Sequence, residues 1–354
     1  MNGTHSDRSE RFAPRDGGIS SQEPGVIETD LLIVGAGPAG ASLACFLAQQ
    51  GLTGIIISSA SSTASTPRAH ITNMAALECL RDIGLENDIY HHATSQENMM
   101  HTRWCHSMAG EEFARIHSWG NDPQRAGDYH AASPCHHVDC PQTLLEPVLV
   151  DYATKHGFKC RFNTSFLSLK QDPSSDVITS TLQDDLSGVR YVVRSKYLFG
   201  ADGARSQIVQ QIDLPLDVKP GGGLAINVLV RADLTNLMKH RKGNLHWVMQ
   251  PDRESPDFGW MSIVRMVKPW HEWMFILFPK PGVTWKEDPA RKDYLKRVQE
   301  FIGDHSIQAE ILDISKWQIN ETVAQVYSNG NMCVRDDSCQ RFSTLLLISI
   351  ADSA

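Results

Sequence analysis

The stretch Asp30-Leu-Leu-Ile-Val-Gly-Ala-Gly-Pro-Ala-Gly40 decides the fold. Leu31 to Val34 is a short apolar run, the pattern of a buried strand. Gly35, Gly37 and Gly40 stand at the G-x-G-x-x-G spacing. Ala41, Leu43, Ala44, Leu47 and Ala48 then continue at helical spacing to a stop at Gly51, and Gly54-Ile-Ile-Ile57 reads as the next strand. In such a unit one glycine makes the tight turn, one lets backbone approach a pyrophosphate, and one lets helix pack on strand. The phosphate rests on the helix N-terminus, where N–H groups are unpaired and the dipole is positive. Strand, turn, helix and strand in this order predict a dinucleotide site, with backbone at Gly35, Gly37, Ala39 and Gly40 around the phosphates.

Working outward, the unit departs from the common pattern. Dinucleotide sites usually place an acid about 20 residues past the first glycine, on the ribose hydroxyls. Here Ser58 and Ser59 stand there, and no carboxylate occurs between Asp30 and Glu78. The ribose must be held by hydroxyls, by backbone or by another segment, which disfavours a nicotinamide-only dehydrogenase. The one full charge in that interval is Arg68, in Thr66-Pro-Arg-Ala-His70. An isolated cation just after a phosphate-binding turn suits an anionic cofactor; the alternative is an exposed surface arginine.

The 354 residues can hold one large α/β unit or two interleaved domains. The net charge of −8, without a basic run, argues against nucleic acid and anionic membranes as partners. No apolar stretch approaches the roughly 20 residues of a membrane span. Eight scattered cysteines without a C-x-x-C pair are expected to be reduced thiols of a cytoplasmic protein.

Residues 1–26 lack periodicity and are expected to be a disordered leader. Asn73 can cap a helix through Met74, Leu77, Leu80 and Ile83, stopped by Gly84. Residues 85–140 read as irregular and rich in histidine. Cys135-His-His-Val-Asp-Cys140 resembles a metal site only superficially, because its spacing fits no tetrahedral zinc pattern. A helix follows Pro141-Gln142, with Leu144, Leu145, Val148, Leu149 and Tyr152 on one face. The strand in 189–199 delivers Gly200-Ala-Asp-Gly-Ala-Arg-Ser206, where Asp202 either accepts from ribitol or ribose hydroxyls, with Arg205 facing phosphate, or simply caps a helix. Four segments between Leu224 and Phe278 alternate apolar and aromatic residues and predict an antiparallel sheet able to roof an aromatic pocket. Most of its rings are expected in the core. Residues 289–304 form an amphipathic helix, and Trp317-Gln-Ile-Asn320 resumes as strand.

Together these stretches resemble the class A FAD-dependent aromatic hydroxylases, in their phenol and 2,4-dichlorophenol monooxygenase branch. The resemblance covers about residues 27–342. It rests on Gly35-Ala-Gly-Pro-Ala-Gly40, Pro67-Arg-Ala-His-Ile-Thr-Asn73, Pro141-Gln142 with Leu145-Glu-Pro147, Gly200-Ala-Asp-Gly203 and Trp317-Gln-Ile-Asn-Glu321. It implies an α/β fold like that of p-hydroxybenzoate hydroxylase: a Rossmann-like FAD-binding domain interleaved with an antiparallel-sheet substrate domain. The implied limits are 27–213 for the first part of the FAD-binding domain, 214–316 for the substrate domain and 317–354 for an incomplete return. The implied activity is NADPH- or NADH-dependent hydroxylation of a small phenolic ring by O₂ through a flavin hydroperoxide, in phenol breakdown or secondary metabolism, by a protein whose relatives are often dimers. Arg68, Gln142, Ser58, Asp202 and Gly203 would serve the cofactor, and His70 would contact the ring or flavin.

One segment departs from the family. Where relatives carry G-D-A-x-H-R, this chain has Asp336-Asp-Ser-Cys-Gln-Arg341, with Asp337 on the flavin-binding acid, Asp336 replacing the glycine and Gln340 the histidine. The sequence stops at Ala354, before the expected flavin-supporting helix. A truncated, catalytically inactive relative is therefore the competing expectation.

Overall fold

The computed structural model describes residues 25–171, 174–283, 288–334 and 340–341. Strand Val26–Val34 lies at the centre of the first sheet, parallel to Gly54–Ile57 on one side and to Arg190–Gly200 on the other. Lys159–Arg161 and Met332–Val334 extend the parallel array outward on the two sides. The hairpin of Thr164–Gln171 and Ile178–Asp184 is joined to it antiparallel along Arg190–Gly200. Leu31 and Ile33 enter one core, under helices Pro38–Gln49 and Gln142–Lys155, while Leu32 and Val34 enter a second core on the opposite face. Burial on both faces is why this strand reads as a continuous apolar run. The first strand begins at Val26, inside the expected leader; residues 1–24 lie outside the described residues.

The second sheet holds Leu216–Ala232, Leu245–Met249, Met261–Lys268, Glu272–Phe278 and Ala309–Ala324, close to the expected segments. Two features differ from the sequence reading. The supposedly irregular 85–140 supplies a hairpin, His101–Cys105 with Glu112–His117, which joins this sheet. It docks with His101–Cys105 parallel to Leu245–Met249, so the sheet is mixed rather than wholly antiparallel. The hairpin escaped detection because Glu112–His117 is an edge strand with almost every residue exposed, which leaves no alternation to read. Ala309–Ala324 runs unbroken across the expected 316/317 limit and pairs along Leu216–Ala232.

Helix Arg291–Ile302 buries Tyr294, Val298, Phe301 and Ile302 against Trp273 and Phe275 on one face of this sheet. The other face carries Met261, Ile263, Met274 and Ile276, with Trp247, Trp260 and Phe278 partly exposed beside them. A third pairing, only two residues on each side, joins Ile71–Thr72 to Val138–Asp139.

Candidate functional site

The glycines of the first turn have separable roles. Gly35 holds φ +112°, and a Cβ there would lie 1.9 Å from the Ala201 carbonyl oxygen; a Cβ on Gly40 would lie 1.9 Å from the Gly35 oxygen. Both are needed for turn, strand and helix to close on each other. Gly37 is different: a Cβ would meet only Glu146 Oε1, at 3.8 Å. Gly37 is also the N-cap of helix Pro38–Gln49, without a side-chain cap and with proline in its first turn. The first-turn N–H groups of Ala39 and Gly40 have no partner within the helix, which makes this helix start able to take an anion. This cradle fits a pyrophosphate.

Around it the structure gathers several of the expected residues. The Ser58 hydroxyl accepts from Ala60 N–H at 3.3 Å and so shapes the loop after the second strand. Arg68 is exposed and makes no ion pair among the described residues, while its backbone oxygen accepts from Arg265 Nη2. Gln142 donates its N–H to the Ala69 oxygen at 2.9 Å. Its side-chain amide donates to Glu146 Oε1, and Glu146 Oε2 accepts from Ala64 N–H at 2.6 Å. Glu146 is only 3% exposed. Its carboxylate ties helix Gln142–Lys155 to the acid-free loop 58–68 and stands beside the glycine turn. The sequence signal was the glutamate inside an apolar helical pattern, within Leu145-Glu-Pro147.

Asp202 is occupied as a cap. Oδ2 accepts from Gln207 N–H at 2.7 Å and Oδ1 from the Ser206 hydroxyl at 2.6 Å, at the start of the short helix Gln207–Gln211. Gly203, at φ +75°, has open space where a Cβ would stand. Asp336, Asp337 and the expected C-terminal departure lie outside the described residues, apart from the backbone of Gln340–Arg341, which pairs with Thr322 and Val323.

His70 sits in a cluster the sequence reading did not assemble. The pairing of Ile71 with Asp139 sets Nδ1 of His70 2.9 Å from both Asp139 oxygens. Asn244 Nδ2 donates to Asp139 Oδ2 at 2.9 Å, and Trp119 Nε1 donates to Asn244 Oδ1 at 3.0 Å. Arg265, 2% exposed, donates to the Arg68 oxygen. Burial pulls the His70 pKa below its ordinary 6.5, against the opposing pull of Asp139, so the ring is neutral near pH 7. Burial likewise lowers the Arg265 guanidinium to about 10, which leaves it cationic. Among the described residues, His70 Nε2 and Arg265 Nε and Nη1 are buried without a hydrogen-bond partner. Asp139 belongs to the Cys135–Cys140 stretch, in which Cys135 and Cys140 are buried.

A cavity of about 910 Å³ opens on the second sheet. Its aromatic and apolar wall is Trp247, Trp260, Met261, Ile263 and Phe278, with Lys316 and Asp288 forming an ion pair in its lining. Met261, Ile263 and Arg265 alternate along one strand, so all three project from the same face. Of the aromatic residues expected over this sheet, Trp273 and Phe275 are core, whereas Trp247, Trp260 and Phe278 line the cavity.

The family model described as FAD binding domain matches residues 28–344. The chain is 40% identical over 313 residues to 2,4-dichlorophenol 6-monooxygenase of Delftia acidovorans, covering 88% of this chain and 53% of that protein. It is 36% identical over 345 residues to phenol 2-monooxygenase of Pseudomonas sp. (strain EST1001), covering 92% and 52%. Among solved structures, the flavin-dependent monooxygenase PieE in complex with FAD and substrate superposes with a TM-score of 0.83 at 34% identity, over 90% of this chain and 54% of that one. The chain thus spans about half the length of the curated relatives it matches.

Proposed function

Since the chain belongs to the FAD-binding-domain family, we propose that it serves an FAD- and NAD(P)H-dependent monooxygenase that hydroxylates a phenolic ring. The observation that carries this reading is the aromatic cavity under Trp247, Trp260 and Phe278, which lies on the same sheet face as Arg265, itself bonded to the backbone of Arg68. One buried arginine thereby ties the strand that carries Met261 and Ile263 of the pocket wall to the segment after the dinucleotide βαβ unit.

In this reading Gly35, Gly37, Ala39 and Gly40 form the pyrophosphate cradle, and Arg68 adds the cation next to it. Gln142 offers its carbonyl oxygen to ribityl or ribose hydroxyls, with Ser58 and Gly203 shaping the remaining wall. Asp202 acts through the short helix it caps, and Asp337 is the acid expected on the ribityl chain. FAD supplies the redox chemistry, delivering one oxygen atom of O₂ to the ring with NAD(P)H as reductant. The protein's own part is to bind the ring against Trp247, Trp260 and Phe278. Free thiols at every described cysteine support the cytoplasm as its compartment.

The test is an absorbance spectrum of the purified chain before and after addition of FAD and desalting. Retained oxidised-flavin bands, with NAD(P)H oxidation stimulated by a panel of phenols, are the expected result. A chain that holds no flavin and gives no phenol-stimulated oxidation overturns the reading.

A further inference from the structure

We propose that the substrate is a phenol carrying a flexible apolar chain, with the ring in the cavity on the second sheet and the chain in a second lobe beside it. The inference rests on the aromatic-hydroxylase reading and deepens it, by naming the class of substrate.

The second lobe is a cavity of about 670 Å³. Phe113, Met249, Pro251 and Pro281 supply most of its apolar wall. Trp260, Lys280 and Pro281 line both cavities, so the two adjoin at these residues. Strand pairing brings the walls together a second time. Met261 of the first cavity stands directly across from Met249 of the second, and such partners lie about 5 Å apart on one sheet face.

Size calls for a second part to the ligand. Pockets of roughly 300–1,000 Å³ enclose whole drug-sized ligands. The first cavity, at about 910 Å³, already exceeds what one ring fills. The second lobe is surplus to any single-ring phenol, and its occupant is an extension of that ring.

Chemistry then sets the nature of the extension. The buried Gln250 amide is spent: Oε1 accepts from Arg297 Nη1 at 2.8 Å, and Nε2 donates to the Glu300 backbone oxygen at 3.1 Å. Lys280 faces Asp257 at 3.4 Å. Arg253 is exposed, where a guanidinium keeps its water. What the lobe offers a ligand is chiefly apolar surface, which favours methylene groups over a polar substituent. Phe113 supports the same conclusion. It is 45% exposed on an edge strand, where proteins favour charged side chains, and it borders the lobe. A chain lying in the lobe covers it.

The junction is firmly built. Arg297, 2% exposed, donates Nε to the Gly259 oxygen at 2.7 Å and Nη2 to the Trp260 oxygen at 3.2 Å, besides holding Gln250. One buried guanidinium thus fixes the backbone at Trp260, which both cavities share, together with a wall residue of the second lobe.

The probes are 4-methylphenol, 4-butylphenol and 4-hexylphenol, titrated into the purified chain with and without FAD and followed by tryptophan fluorescence. Affinity is expected to rise roughly fourfold for each methylene buried, so about 60-fold from methylphenol to butylphenol, and further to hexylphenol. Ser255→Trp, which fills the lobe, and Phe113→Ser, which strips its wall, should each cut the gain from methylphenol to hexylphenol at least tenfold. The two variants reach the lobe from different segments, so one that fails to fold by circular dichroism leaves the other to decide. Affinity independent of chain length in the parent, or an equally steep series in parent and folded variant, overturns this inference and leaves the hydroxylase reading standing. Binding of none of the phenols overturns both.

Discussion

The His70 imidazole meets both oxygens of Asp139 at 2.9 Å, although the two residues are 69 apart in sequence and the strands that join them pair over just two residues. So short a ladder does not hold such a contact alone. Asn244 supplies the remaining support, bonding Asp139 on one side and Trp119 on the other. Asn244→Leu strands a buried carboxylate oxygen and an indole N–H together, and is expected to cost about 2–4 kcal/mol. Asn244→Asp should cost more, because it sets a second carboxylate beside the first. Urea denaturation of the two variants checks the order; parental stability in Asn244→Leu would show that the bond contributes nothing.

Gly35 and Gly37 are expected to fail in different ways. Gly35→Ala drives a Cβ to 1.9 Å from the Ala201 oxygen at φ +112°, and should leave little folded protein. Gly37→Ala meets only Glu146 Oε1 at 3.8 Å, so it should fold with its melting temperature nearly unchanged. Its new methyl group projects into the cradle and should weaken FAD binding at least tenfold, as read by flavin fluorescence quenching. Undiminished FAD affinity would show that the phosphates lie elsewhere.

Glu146 joins the loop 58–68, through Ala64, to the start of helix Gln142–Lys155, through Gln142. Glu146→Leu leaves the Ala64 N–H and the Gln142 amide without their acceptor. About 1–3 kcal/mol of stability should be lost, and limited proteolysis should cut within 58–68 faster than in the parent. Unchanged cleavage there would mean that the loop is held without the carboxylate.

His246 gives the fold a pH dependence. It is fully buried beside Arg103, and burial lowers its pKa from 6.5 to about 3. Folded His246 therefore stays neutral down to about 3, whereas unfolded chains take up the proton near 6.5. The unfolded state binds the extra proton in that window, so this stabilisation is whole above 6.5 and is lost as pH falls through it, by about 1.4 kcal/mol per unit. His70, lowered in the same direction, adds to the slope. Urea denaturation from pH 7 to 4 should show a shallower slope in His246→Phe than in the parent; parallel curves would place the acid sensitivity elsewhere.

How much of this was legible depends on the range of the interactions involved. The first βαβ unit was readable because its glycines, its both-faces-buried strand and its helix lie within 30 consecutive residues or so, and Asn73 was readable as a cap because Ala76 is three residues away. The second sheet was visible as alternating strands, but the hairpin 101–117 was not, since its outer strand is an exposed edge. The partners of His70 were hidden for a different reason. Asp139, Asn244 and Arg265 come from a short bridge, a loop and a strand far along the chain, and no local pattern records which of many acids and arginines will meet. Glu146 was quoted for its neighbours, yet its role appears only once Ala64 is seen against it.

The order in which the sheets are threaded bears on how the chain is made. Leu198 to Gly200 must wait for Met332 to Val334 before the outer parallel ladder forms, and the hairpin 101–117 must wait for Leu245 to Val248. A ribosome therefore releases most of both halves before either can be finished. Such non-local pairings slow folding and leave apolar strand edges open during synthesis. Yield in a recombinant host should accordingly depend on chaperone supply and growth temperature more than on codon choice, and fragments ending before residue 332 should accumulate in the insoluble fraction.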